Sequence, residues 1–390
     1  MNEIADKLGG IYVHVPFCVR KCPYCDFYSS VDLAGVPVFL EALKREMEMV
    51  GGTDQVCDTL YIGGGTPSVL KAEAIAQIID TAHRQFTIRS DIETTLEVNP
   101  GTISRKSLAE YHRAGINRLN IGVQSFHSNS LSFLGRIHSV DEAISSIEWA
   151  RQAGFDNIGL DLIYGLPGQE KKNWLIDLGR ALETETEHLS CYTLTCESGT
   201  ALNRDVKSGR IQWPEDGTVR ELFDTTINFL TNHGFVQYEI SNFARNMDDG
   251  SEPRYSRHNQ KYWSLAPYIG LGPSAHSFIA PERYWNHRSI EDYVRQIKAG
   301  QLPIAERENL TREQMIMEAI YLGLRTTRGI DLEGFEKMFG INVSKIFGAK
   351  IADLEKDNLL KFTNTHCALT PRGMAYLDSI ASMLASQDIG

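Results

Sequence analysis

Cys18, Cys22 and Cys25 stand in the run CVRKCPYC, directly after an apolar segment, Ile11 to Val15. The C-x3-C-x2-C spacing puts three thiolates on one short loop, one fewer than a closed iron–sulfur cluster or a closed zinc site takes. A centre held by three protein ligands keeps one coordination position open, and an open position is where a metal site does chemistry. A cluster with one iron left for a small molecule is the sharper reading. A three-cysteine zinc site, or unligated thiols in a surface loop, are the plainer ones. The other cysteines, Cys57, Cys191, Cys196 and Cys367, are scattered, and seven is an odd count. That usage predicts a reducing, cytoplasmic setting and metal binding rather than a disulfide framework.

Such a loop needs a frame. Between residues 11 and 195, short runs rich in Val, Ile, Leu and Tyr alternate with amphipathic stretches. The runs at 11–15, 59–64, 93–99, 118–123, 158–165 and 189–195 read as strands, several buried on both faces. Helices are expected at 37–50, 71–85, 104–114, 140–153 and 170–184. Ser104 and Asp141 would be N-caps, and Gly115 and Gly154 sit where C-caps belong. Strands joined by helical crossovers must run parallel, either as an open sheet or curled into a partial barrel. A helix at 215–233, a strand at 236–241 and an exposed loop at 246–254 follow. The last eighty residues predict helices at 311–325, 331–340 and 343–357, a hairpin at 359–370 and a helix from Pro371, a winged-helix-like order.

Composition narrows the partners. The net charge is −11 over 390 residues, so no global field draws nucleic acid. Residues 301–390 hold 10 Lys and Arg against 12 Asp and Glu, which removes the phosphate attraction a DNA-binding winged helix needs. No apolar run is long enough to span a membrane, and MNEIADKLGG lacks the basic and apolar regions of a signal peptide. The length suits two to three domains.

In parallel α/β sheets, sites form where loops converge at the carboxyl ends of the strands. The second run ends in Gly63-Gly64-Gly65-Thr66-Pro67, glycines that would let backbone approach a ligand and present N–H groups. The third ends in Glu97-Val98-Asn99-Pro100, a carboxylate able to accept from hydroxyls or an ammonium. The fourth ends in Gln124-Ser125-Phe126, and Arg136 in LGRIHS is a fork-shaped donor suited to a carboxylate. The fifth carries Asp161 in DLIYGLPGQ. Each alone reads as a turn or a cap. In order, on consecutive strand ends, they read as one site.

The cysteine run resembles the cluster motif of the radical S-adenosylmethionine (SAM) superfamily, which usually carries an aromatic residue where Tyr24 stands. The segments IYVHVPFC, IGGGTP, LEVNP, IGVQSF, LGRIHS and DLIYGLPGQ resemble one branch of it, the HemN/HemW group, and the likeness continues to the C-terminus. It implies an α/β fold, a (β/α)6 partial TIM barrel with a C-terminal α+β, winged-helix-like domain. The divisions would be 1–240, a connecting segment at 241–305, and 306–390. It implies a [4Fe-4S] cluster on Cys18, Cys22 and Cys25, with the fourth iron binding the amino and carboxylate groups of SAM. SAM contacts then fall on Tyr12, Tyr24, Gly64, Gly65, Thr66, Glu97, Gln124, Arg136 and Asp161, with Thr193 near another.

Within the group, coproporphyrinogen oxidases carry a fourth cysteine two residues past the third, and here that position is Phe27. Only 17 residues precede Cys18, where the oxidases carry a longer extension. Both departures are similar to the haem-chaperone branch, HemW. The segment Arg257-His258-Asn259-Gln260-Lys261-Tyr262-Trp263 contains H-N-x-x-Y-W, associated with haem in that branch. Physically it offers an imidazole for iron and two rings for a porphyrin face, although the same residues on an irregular segment could simply pack. His276 is a second imidazole, expected to be buried and satisfied by hydrogen bonds. The resemblance thus implies haem as cargo and haem-acceptor proteins, respiratory haemoproteins among them, as partners. It leaves room for SAM cleavage, for a homodimer and for peripheral contact with membrane proteins. The rival readings are a coproporphyrinogen III dehydrogenase, turning propionates into vinyls, and a HemN-like methylase or cyclopropanase.

Overall fold

The structure, a computed structural model, describes residues 7–247 and 249–385. Residues 1–6 of the segment tested for a signal peptide, and Asp248 of the 246–254 loop, lie outside the described residues.

Six strand–helix units come first. Strand β1 (Gly9–Val15) leads through the cysteine loop to helix α1 (Val36–Val50) and β2 (Val56–Gly64). Then follow α2 (Ala72–Gln85), β3 (Thr87–Val98), α3 (Arg105–Arg113), β4 (Arg118–Gln124), α4 (Ser128–Phe133) and α5 (Val140–Gln152). Strand β5 (Ile158–Tyr164), α6 (Lys171–Glu183) and β6 (His188–Thr193) complete the series. All six strands pair in sequence order and in parallel. Local chemistry sets the helix ends. Ser104 Oγ accepts from Ser107 N at 3.1 Å at the start of α3. At α5 the cap is Ser139 rather than Asp141: Ser139 Oγ accepts from Glu142 N and its own N–H donates to Glu142 Oε2. That reciprocal box satisfies two terminal donors, which Asp141 alone would not.

Period-two alternation divides the strands. Ile11, Val13 and Val15 are fully buried and pack with Phe39, Leu43 and Met47 of α1, while Tyr12 and His14 face the barrel interior and line its cavity. The same alternation points Tyr61, Glu97, Asn120, Gln124, Asp161, Ser190 and Tyr192 inward. Register levels them across the sheet, with Tyr12 beside Tyr61, Glu97 beside Asn120 and Asp161 beside Ser190.

Past β6 come α7 (Ala201–Lys207), α8 (Asp216–Asn232), β7 (Phe235–Gln237) and β8 (Asn242–Arg245). The single strand expected at 236–241 is instead split by a turn. Glu239, fully buried, accepts from Ser241 N and Asn242 Nδ2 and pairs with Arg325 at 2.6 Å. A buried carboxylate needs that many donors, and collecting them folds the chain back. Helix α9 (Arg257–Trp263) precedes β9 (Tyr268–Leu271), β10 (His276–Ile279), β11 (Glu282–Asn286), α10 (Ile290–Lys298) and β12 (Ile304–Asn309). Strand β9 joins β1 in parallel, and β10 to β12 add antiparallel strands, giving an open twelve-stranded sheet ordered β12-β11-β10-β9-β1-β2-β3-β4-β5-β6-β8-β7. Buried Glu46 of α1 ties the extension down, accepting from Gly272 N, Asn286 Nδ2 and Tyr293 OH.

The C-terminal unit has its own core. It comprises α11 (Arg312–Arg325), β13 (Ile330–Asp331), α12 (Leu332–Phe339), α13 (Val343–Lys356), β14 (Leu360–Phe362), β15 (His366–Leu369), α14 (Pro371–Met374) and α15 (Leu377–Ala385). The hairpin gains β13 as a third strand, and the last helix is broken at Ala375–Tyr376. No helix of the described residues is long and apolar enough to cross a membrane.

Candidate cofactor site at the strand ends

The cysteine loop leaves the carboxyl end of β1. Cys18 is buried, Cys22 and Cys25 are half-buried, and Cys25 N donates to Cys22 O at 3.2 Å, closing the turn between them. Burial pushes the Cys25 thiol up, with the neighbouring Cys22 and Cys18 sulfurs adding to the effect. Two sulfurs have donors aimed at them: Thr66 Oγ1 at 3.3 Å from Cys18 Sγ, and Arg136 Nη1 at 3.7 Å from Cys22 Sγ. Such second partners tune a sulfur-ligated centre. Among the described residues no three His, Cys, Asp or Glu side chains converge on a point as a single ion requires. A cubane asks for less, one thiolate per iron. The donor set fits a cluster.

The glycine loop after β2 does something other than expected. Gly65 N donates to Val15 O at 2.9 Å and Thr66 N to Phe17 O at 2.7 Å, while Gly64 N donates to Glu97 Oε2. These amides are already engaged. A Cβ on Gly65 would lie 2.7 Å from Phe17 O, and one on Gly64, whose φ is +111°, would lie 2.6 Å from His14 Nδ1. The glycines are needed so that the end of β2 can press against the backbone of the cysteine loop.

Above this seam opens a cavity of about 1010 Å³. Of the residues proposed for SAM, Tyr12, Tyr24, Gly64, Gly65, Thr66, Glu97, Gln124, Arg136 and Asp161 all line it, as does Thr193. Burial lifts Glu97 to about 7 and Asp161 to about 6. Glu97 accepts from Tyr61 OH at 2.7 Å, and Asp161 Oδ2 from Asn120 Nδ2 at 2.7 Å. Asp161 Oδ1 and Arg136 Nε are buried without a hydrogen-bond partner. Buried polar atoms left unpaired mark a place for a polar ligand. Gln124 holds φ +68°, a left-handed conformation rare for residues with a side chain. Tyr61, Asn120, Ser190 and Tyr192 were not singled out by motif. Their signal was the inward phase of alternation on strands whose other residues are apolar.

The H-N-x-x-Y-W segment is a helix, α9, not an irregular stretch. Ser256 caps it, and the Glu93 carboxylate receives the N–H groups of Arg257 and His258. A carboxylate at a helix N-terminus satisfies donors that the helix leaves open. Asp58 pairs with Arg257 at 2.7 Å and with Lys261. The helix therefore docks at the level of Thr59 and Glu93, which register beside Gly10. That is five residues before Val15, about 16 Å along a strand. It floors the cavity that Cys25 lines at the other end.

His258 is buried with both ring nitrogens engaged, Nδ1 with Thr59 Oγ1 at 2.8 Å and Nε2 with Tyr262 OH at 2.9 Å. It stacks on Tyr61 at 5.1 Å, and burial pushes its pKa down to about 3. The expectation of an imidazole open to iron is not met in this arrangement. Trp263 does not line the cavity and packs edge-on against Tyr238 at 5.7 Å. His276 also departs from expectation: it is exposed at the cavity rim and stacked on Trp285 at 5.4 Å. Phe27, where an oxidase cysteine would stand, lines the same cavity and is 65% exposed.

The profile of the radical SAM superfamily matches residues 12–177, and that of the HemN C-terminal domain matches 310–376. The chain is 35% identical over 366 residues to the heme chaperone HemW of Bacillus subtilis, covering 93% of this chain and 95% of that protein. It is 33% identical over 381 residues to the HemW of Mycobacterium tuberculosis, covering 96% and 94%. Against the HemW of Escherichia coli it is 38% identical over 276 residues, 69% and 70% of the two chains. The fold is similar to that of the E. coli radical SAM enzyme coproporphyrinogen III oxidase, HemN, with a TM-score of 0.84 and 24% identity over 98% of this chain and 91% of the other.

Proposed function

That the chain belongs to the HemW family of radical SAM proteins is the premise from which we propose its function. It is a haem chaperone that holds one [4Fe-4S] cluster, SAM and haem, and hands haem to acceptor proteins. Cys18, Cys22 and Cys25 would hold the cluster, three protein thiolates that would leave it open to SAM. When bound, the cluster supplies the electron and the open iron position that SAM chemistry uses. The chain's own residues do the rest. Arg136 lies against Cys22 and faces the cavity, so its guanidinium pairs with the SAM carboxylate. The unpartnered Asp161 Oδ1 and the Glu97 carboxylate accept from hydroxyl or ammonium groups. Tyr12, Tyr24 and Gln124 enclose the ligand, and Thr66 holds Cys18.

The observation that carries the chaperone reading is likeness along nearly the whole chain to proteins named for that role. Exposed Phe27 in place of the oxidase's extra cysteine supports it. The test is to reconstitute the cluster anaerobically, add SAM and a reductant, and offer haem and coproporphyrinogen III in parallel. The expected result is a Soret band on the protein and no consumption of coproporphyrinogen. Stoichiometric protoporphyrinogen IX would replace the chaperone with the dehydrogenase.

A further inference from the structure

A second cavity, of about 530 Å³, lies on the other side of the rings of Tyr262 and Tyr268, which line both spaces. Its remaining walls come from β10 and β11 and from α11 and α15, with Phe278, Tyr321, Leu322 and Ala381 as its apolar surface. Tyr262 and Tyr268 meet edge to face at 4.8 Å, and Tyr268 tilts over Phe278 at 6.2 Å. The lining charges are one cation, Arg283, and two anions, Glu318 and Asp378. Arg283 is held in a fork by Glu318, at 2.8 and 2.6 Å, and stacks over Phe278. The volume falls in the range of cofactor sites, roughly 300–1,000 Å³.

We propose that this apolar cavity, and not the polar one above the strand ends, receives the porphyrin ring, with Tyr262 and Tyr268 as the partition between haem and SAM. The proposal rests on the haem-chaperone reading. A flat, largely apolar macrocycle gains about 25 cal/mol per Å² of apolar surface it buries, and here aromatic and aliphatic faces supply that surface. The polar cavity is unsuited, because Glu97, Asp161 and Glu197 project into it and would be desolvated beneath the ring. The two propionates need water or a cation, and the rim formed by Asp378, Ser382 and the 45% exposed Met317 leaves them water. Tyr262 is the residue of the H-N-x-x-Y-W helix that reaches both cavities. No histidine lines the smaller one. Iron there meets a tyrosine oxygen, Tyr268 or Tyr321, a known haem ligand type, since the Tyr262 hydroxyl is held by His258 Nε2 at 2.9 Å and Met317 stands at the rim.

The test titrates ferric haem into the full chain by its Soret band, for wild type, Leu322→Trp and Met317→Glu. SAM binding to the reconstituted proteins serves as the measure of intact folding. Leu322→Trp fills the cavity, and Met317→Glu sets an anion where the propionates leave. Each should weaken haem binding by about tenfold or more, with SAM affinity unchanged. If Leu322→Trp fails to fold, Met317→Glu, at an exposed position, decides alone. Unchanged haem affinity in the folded variants overturns the proposal. So does an imidazole-ligated spectrum that vanishes in His276→Ala or His258→Ala, since that puts the ring in the polar cavity. Wild-type protein that takes up no haem defeats the chaperone reading itself, a separate result.

Discussion

The two cavities that share Tyr262 and Tyr268 are built in opposite ways. The larger is the inner face of one sheet. Its polar side chains project from alternate positions of β1 to β6, and register levels them, so sequence neighbours two apart become neighbours in the site. The smaller is a seam where one face of α11 and one face of α15 lie over β10 and β11, closed by residues from 262 to 382 that come from separate elements of the C-terminal half. A site written on one sheet is visible as a string of motifs. One made by two surfaces meeting is visible only once the surfaces have met.

The sharpest way to break the contrast is to remove the thiolates. Cys18→Ala, Cys22→Ala or Cys25→Ala should abolish the binding of about four irons per chain, because a methyl group cannot ligate iron. Haem uptake should survive, since the smaller cavity borrows nothing from the cysteine loop. Cys57→Ala and Cys367→Ala should keep their iron. Both thiols are buried, and burial pushes them up to about 11 and about 12. Iron assay and a Soret titration on the same preparations check all five.

Next in size is Gly65→Val. Had the glycine loop served only to admit a ligand, the variant would lose SAM and keep iron. With the Cβ position 2.7 Å from Phe17 O and the amide bonded to Val15, the β-branched side chain must instead push the cysteine loop off β2. Iron content should fall by half or more, together with SAM binding. Full iron with weakened SAM would restore the simpler role.

Much of the larger site was legible for this reason. Apolar strands and capped helices carry local signals, and the six strands and five crossover helices expected are all present, although β3 starts six residues early at Thr87 and the short α4 and α7 carry no such signal. What escaped depends on partners distant in sequence. The strand read at 236–241 turns because Glu239 must meet Arg325. The seven residues of α9 are too few to show periodicity, and they are helical because Ser256 and Glu93 hold their first amides. His258 looked like a ligand because its type and motif say so, whereas Thr59 and Tyr262, which occupy its nitrogens, contribute nothing to that pattern. The Ser139 cap, by contrast, carries a local signal of its own, because Glu142 three residues on completes the box.

A smaller effect separates Arg136 from the cysteines it touches. Arg136→Ala should remove the charge-assisted partner proposed for the SAM carboxylate, a loss of about 1.5–3 kcal/mol, or roughly one to two decades in affinity. Its contact to Cys22 Sγ is long, at 3.7 Å, so iron content should stay near four. Isothermal titration with SAM on iron-matched protein reads the difference. A variant that loses iron in proportion to SAM would make Arg136 part of the cluster's support instead.

The smallest effect tests whether the floor of the larger cavity is built to stay neutral. His258 has a folded pKa of about 3, lowered by burial, against about 6.5 in the unfolded chain. Between those values the unfolded state binds a proton that the folded state refuses, so stability drops as pH falls below about 6.5. Glu46, Glu97 and Asp161, raised to about 7, 7 and 6, act with the opposite sign. They favour the folded state as pH falls through the same range, so the whole protein's profile mixes both contributions. The difference between wild type and His258→Gln cancels the carboxylates, which both proteins share. Near pH 8 the variant should be the less stable, because the imidazole's fitted bonds to Thr59 and Tyr262 are lost. That deficit should shrink steadily from pH 6.5 to pH 4.5 in urea unfolding curves. A deficit that holds constant would mean that His258 titrates in the folded chain as it does in the unfolded one, and a deficit that grows would mean that the floor of the larger cavity favours the imidazolium.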